Sequence, residues 1–142
     1  MKKYATIYAT IFLSCLMIIA CTPSHHASTT SKPADPGFIH SVYFYLNEDA
    51  GEAQVQQLIS DCKTLLGAVE TVRQLYVGLP AGTPRDVVDN SYGVSLIVYF
   101  DDQAGHDYYQ TAEKHLQFIE RNQNAWDRVQ VYDMLPQEEN EK

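Results

Sequence analysis

The sequence predicts an α+β domain of element order β-α-β-β-α-β, and three observations predict it. "FIHSVYFYL" (38–46) and "VSLIVYF" (94–100) are runs of β-branched and aromatic residues whose faces alternate, as in strands. Between them, Val55, Leu58, Ile59, Cys62, Leu65 and Leu66 recur at helical spacing. A second helical stretch follows "VSLIVYF", and "RVQVYDML" closes the pattern as a last strand.

Along the first strand, Phe38, His40, Val42, Phe44 and Leu46 share one face, and Ile39, Ser41, Tyr43 and Tyr45 share the other. Asp49 fits an N-cap, with Glu52 three residues on completing a capping box. Gly67 fits the end of that helix. The second strand is expected over 69–77, and "GLPAGTPRDVVDNSYG" is a long loop by its Gly, Pro, Asp and Asn content. Asp101 or Asp102 caps the second helix. Its expected inner face carries Ala104, Tyr108, Ala112, His115 and Ile119. Pro136 ends the last strand.

That order is the ferredoxin-like arrangement, with two helices on one face of a four-stranded sheet. The other face carries Tyr43, Tyr45, Ile97 and Tyr99, which no remaining element can cover. An apolar patch of that size calls for a partner, and a twofold homodimer through the sheet faces is the economical one.

The rest of the chain reads as address and tether. "MKKYATIYATIFLSCLMIIAC" has two lysines, an apolar stretch, then Ile18-Ile19-Ala20-Cys21, the form of a secretory leader. The last four residues resemble the bacterial lipobox. That resemblance implies a signal peptide over 1–20, lipidation of Cys21, and a cell-envelope protein anchored in a membrane by acyl chains. Thr22 in place of Asp implies sorting to the outer membrane, facing the periplasm. Cys15 is a poorer cleavage site, because too little of the apolar stretch precedes it. Residues 21–37, rich in Ser, Thr and Pro, form a tether in which His25 and His26 read as inert. Residues 136–142 form an acidic solvated tail.

Composition excludes some functions. The formal charge is −8 and no basic patch exists, so nucleic acid is not an expected partner. With Cys15 removed and Cys21 lipidated, Cys62 has no mate for a disulfide, and its place on an apolar helix face reads as a small buried hydrophobe. No glycine-rich phosphate loop or nucleophile motif appears. No cofactor and no metal are expected.

Taken in order, "FIHSVYFYL", "VRQLYVGLP", "SYGVSLIVYFDD", "YYQTAEKHLQF" and "WDRVQVYDM" resemble the stress-responsive dimeric α/β barrel (Dabb) family over 38–135. The resemblance implies a dimer of ferredoxin-like halves. Most members have no known activity. One plant member is a polyketide cyclase that closes a ring by aldol condensation without a cofactor, using a first-strand histidine and a tyrosine–histidine pair near the second helix. Those roles fall on His40, Tyr109 and His115, so the resemblance makes these the candidate catalytic residues. The chain departs from the family at Ala112-Glu113-Lys114-His115, where His-Pro-x-His is usual. Without the proline nothing local compels a break, since Ala, Glu and Lys all favour helix. An unbroken helix turns about 600° over six residues and would hold Tyr109 and His115 about 120° apart.

Three functions follow as expectations. The first is binding of a small apolar or aromatic molecule in a cavity between sheet and helices. The second is a cofactor-free cyclase or lyase, with His115 as base, Tyr109 as donor to an enolate oxygen, and His40 as orienting partner. The third is a structural module whose dimerisation is its whole role. In the plainest account the histidines are packed residues satisfied by one partner each, and Trp126 is a core or rim aromatic.

Overall fold

The computed structural model describes residues 35–137. Strand β1 (Phe38–Leu46) is followed by helix α1 (Glu52–Thr64) and strands β2 (Gln74–Gly78) and β3 (Val94–Phe100). Helices α2 (Gln103–Thr111) and α3 (Glu113–Asn122) then lead into β4 (Trp126–Met134). The strands form one antiparallel sheet in the order β2-β3-β1-β4, with helices on one face. This is the ferredoxin-like α+β fold that the sequence predicts. Cys21, the leader, the tether up to residue 34 and the acidic tail beyond 137 lie outside the described residues. Among the described residues no helix is long and apolar enough to cross a membrane.

The alternation in β1 behaves as expected. Phe38, His40, Val42 and Phe44 are buried under the helices, beside Val94, Leu96, Val98 and Phe100 of β3. Leu58, Cys62 and Leu66 of the α1 region complete the core with Tyr109 and Phe118. Each large apolar side chain buried here contributes about 1.5–3 kcal/mol. A side chain at Gly37 would collide with the Asp101 carbonyl, so glycine lets the start of β1 lie against the β3–α2 turn.

Several boundaries differ from the sequence reading. Helix α1 is capped by Gly51 without a side-chain bond, not by an Asp49–Glu52 box. The chain leaving β1 is first tied down, Asn47 N donating to the Ala125 carbonyl at 3.1 Å and Ala50 N to the Asn47 carbonyl at 3.0 Å, which delays the helix start past Asp49. Gly67 sits inside a short 3-10 turn, Leu66–Ala68, that follows the cap at Leu65 and swings Leu66 into the core. Val69 and Val72 imitate a strand by composition, yet they lie in a turn closed by Val72 N to Val69 O at 3.0 Å. Strand β2 therefore begins only at Gln74.

The largest correction concerns the second helix, which is two helices. Asp102 caps the first, accepting from Gly105 N at 2.8 Å. At Ala112 the backbone is extended, with ψ at 140°, and α3 starts afresh at Glu113. The inward residues are His106, Tyr109, Phe118 and Asn122; Ala104 is exposed and Tyr108 is 48% exposed. Packing supplies what local propensity does not. Nine residues on a straight helix turn about 900°, so Tyr109 and Phe118 would face opposite ways. Both are buried, which requires a change of phase between them.

Each half is held separately. Thr71 Oγ1 donates to the Gly105 carbonyl at 2.9 Å and fixes α2. Buried Asp61 accepts from Asn122 Nδ2 at 2.9 Å and pairs with Arg121 at 3.2 Å, which fixes the end of α3. Lys114 Nζ donates to the Ala68 carbonyl at 2.7 Å near its start.

Candidate functional site

The break decides what surrounds the space between sheet and helices. Helix α1 lies over β2 and β3, α2 over β1 and β3, and α3 against α1. The helix-side face of β4 is left thinly covered, and Val131 is 41% exposed there. Below it lies a half-open cavity of about 580 Å³, bordered on this strand by Val129, Val131 and Asp133. That volume suits a small organic molecule. One end is apolar, with Phe44, Leu96, Phe118, Trp126 and Val129. The other end is polar, with His40, His106, Tyr109, Gln110, His115 and Asp133.

All three candidate residues reach this polar end. The Tyr109 and His115 rings lie 4.7 Å apart, centre to centre, and those of His40 and Tyr109 6.0 Å apart. The break at Ala112 thus brings together two side chains that an unbroken helix would hold apart. Trp126 packs on Phe44 and Phe118 at the apolar end, as a core and rim aromatic.

Two further groups were not singled out from the sequence. Asp133, directly across from His40 in the β1–β4 register, places its Oδ1 2.6 Å from His40 Nδ1. Its signal was a carboxylate on the same alternating face as Val129 and Val131. His106 stacks on Phe38 at 4.5 Å and lies 5.0 Å from the His40 ring. Its spacing of three before Tyr109 is the register that the structure uses.

Burial favours the uncharged form of His40 and of His115. Burial lowers the pKa of His40 most, with Asp133 working against the shift and His106 adding to it. Burial also lowers that of His115, and His40 adds to the effect, while the nearby backbone of Gln110 opposes it. Among the described residues His115 Nδ1 is buried and without a hydrogen-bond partner. Burial raises the pKa of the Tyr109 phenol, which therefore stays a neutral donor. A neutral imidazole beside a neutral phenol can accept a proton at one point of a bound molecule and donate one at another.

Comparison with known proteins agrees with this architecture. Similar solved structures include a dimeric ferredoxin-like protein of unknown function from Thermobifida fusca, at 17% identity and TM-score 0.62, covering 72% of this chain and 93% of that one. A Dabb family protein from Mesorhizobium loti has 20% identity and TM-score 0.59, over 71% of this chain and 97% of that one. The hydroxynitrile lyase of Passiflora edulis has 16% identity and TM-score 0.64, over 75% and 99%. At such identities the likeness is one of fold. No curated protein matches the chain. The family model for the stress responsive A/B barrel domain matches residues 38–136, most of the chain and all the helices and strands among the described residues, and the chain belongs to that family.

Proposed function

We propose that this domain binds a small apolar or aromatic molecule carrying a carbonyl or hydroxyl group. The cavity of about 580 Å³ bordered by His40, Tyr109 and His115 carries the reading. Its apolar end takes the body of the ligand, and its imidazoles and phenol take the polar group. In the same proposal the domain is a homodimer held at the outer membrane, facing the periplasm, through lipidated Cys21. The dimer is supported by apolar residues on the sheet face away from the helices, where Tyr76 and Tyr132 are more than half exposed. The relative from Thermobifida fusca is described as dimeric.

A second reading is a cofactor-free lyase or cyclase, favoured by the Tyr109–His115 apposition and the unpartnered His115 Nδ1. His115 would take a proton from the carbon beside a carbonyl, and Tyr109 would donate to the resulting enolate oxygen. A fold neighbour named as a hydroxynitrile lyase is in keeping with such chemistry on this fold. A purely structural module leaves the cavity without a role.

The test uses prodan, a neutral naphthalene ketone whose emission shifts to the blue in apolar surroundings. Saturable binding at one probe per protomer is expected, and loss of it in Val131→Trp, which fills the mouth. Failure to bind, or equal binding by the variant, would contradict the proposal.

A further inference from the structure

The polar end of the cavity holds a group of side chains with a second capacity. His40, His106 and Asp133 each present a donor atom, and these three atoms lie within 4.8 Å of one another. We infer that they form a binding site for a divalent transition-metal cation of the zinc type, with a coordination position left facing the cavity. The inference does not depend on any organic ligand, because the cation alone is the probe.

The donor set is a good one. Two imidazoles and a carboxylate suit zinc, and three protein ligands with one open position is the usual form of a reactive zinc site. The arrangement around His106 supports the assignment. Gln110 Nε2 lies 2.9 Å from His106 Nε2, and Asp107 Oδ1 lies 3.2 Å from His106 Nδ1. An amide donor on one nitrogen and a carboxylate on the other fit the tautomer with the lone pair at Nε2, a lone pair that the half-buried Gln110 side chain gives up to the cation by turning away. An imidazole whose second nitrogen donates to a carboxylate is how metal-bound histidines are oriented. Stacking on Phe38 fixes the His106 ring plane.

The required movement is small. Ligand bonds of about 2.0–2.1 Å at tetrahedral angles put neighbouring donor atoms about 3.3 Å apart. The His40–Asp133 contact at 2.6 Å would open by well under an ångström, the cation replacing a shared proton. The remaining donors would close by up to about 1.5 Å, within reach of side-chain rotation at half-exposed Asp133 and at His106. β1, β4 and α2 supply one ligand each, so the site exists only in the folded chain.

Titration of ZnCl2 into the full-length protein in detergent, followed by calorimetry, tests this. His25 and His26 could also take zinc, so the measurement is made in a His25→Ala, His26→Ala background. One zinc per protomer is expected there. His106→Ala and Asp133→Asn should each weaken binding by about tenfold or more. Co2+ in the same background should give the visible bands of a tetrahedral site, lost in both variants. Asp133 is partly exposed, so Asp133→Asn reads the site even if His106→Ala does not fold. Binding that vanishes with the tether histidines, or that survives both substitutions unchanged, would overturn the inference.

Discussion

Tyr109 and His115 meet edge to face, 4.7 Å between ring centres at an interplanar angle of 61°. They do so because the chain abandons helical geometry for one residue, Ala112. No proline forces the break; it comes from anchoring α2 and α3 to different neighbours.

Placing a proline at the break tests this. Glu113 is the first residue of α3, and the residue before it is already extended. A proline is well tolerated at a first helical position and after an extended residue. Glu113→Pro is therefore expected to be neutral or stabilising by about 0.4–1 kcal/mol in urea denaturation. A continuous helix would instead lose about 3 kcal/mol or more.

Asp61 is the anchor of α3, buried and bonded to Gln57, Asn122 and Arg121. Asp61→Ala is expected to cost about 1–3 kcal/mol, because Asn122 loses a buried partner. Arg121 can turn to solvent and limits the loss. The same variant should weaken prodan binding, since α3 carries His115 and Phe118. Denaturant midpoints and probe titrations on one preparation check both outcomes; undiminished affinity would mean that α3 is fixed by other contacts.

Cys62 gives a pH dependence with a definite sign. Burial, with the neighbouring Asp61 charge, pushes its thiol up to about 12. An unfolded cysteine ionises near pH 8.5. The folded pKa is the higher one, so the stability from keeping the thiol neutral is fully present below about pH 8.5. It is lost as pH rises toward 12, by about 1.4 kcal/mol per unit. The raised Tyr109 pKa acts in the same direction at higher pH. Between pH 7.5 and 10 the native protein should lose about 2 kcal/mol more than Cys62→Ala. Equal losses would place the thiol in contact with water.

The uncovered sheet face is the dimer contact proposed above. Ile97 and Tyr43 are half-buried there, beside exposed Tyr132, which meets Tyr43 edge to face. Ile97→Glu is expected to give a monomer in sedimentation, because a charge buried at a dimer interface is costly. An unchanged mass, dimer or monomer, would show that this face is not the contact.

Much of this was legible in the sequence. Strand alternation in 38–46 and 94–100 gave the faces correctly, because a period of two allows no slippage where one face is buried. Helix α1 was legible for the same reason at its own period, and a cap at Asp101 or Asp102 by its chemistry, the structure using Asp102. The break at Ala112 was not, because Ala-Glu-Lys favours helix and the deciding forces act on Asp61 and Thr71, far away in sequence. One signal was present: Tyr109 and Phe118 cannot both be inward on a single straight helix. The Asp49 box and the early β2 failed because tertiary bonds from Asn47 and turns at Val69 override local preference.

The imidazoles of His40 and His115 border one hollow, proposed above to accept a ligand. Ring-proton NMR of histidine-labelled protein during prodan titration tests it most directly. The account expects the His40, His106 and His115 signals to move together along one saturation curve, with His25 and His26 unmoved. Rings that stay still while the probe binds, or that move only with the tether histidines, would contradict it.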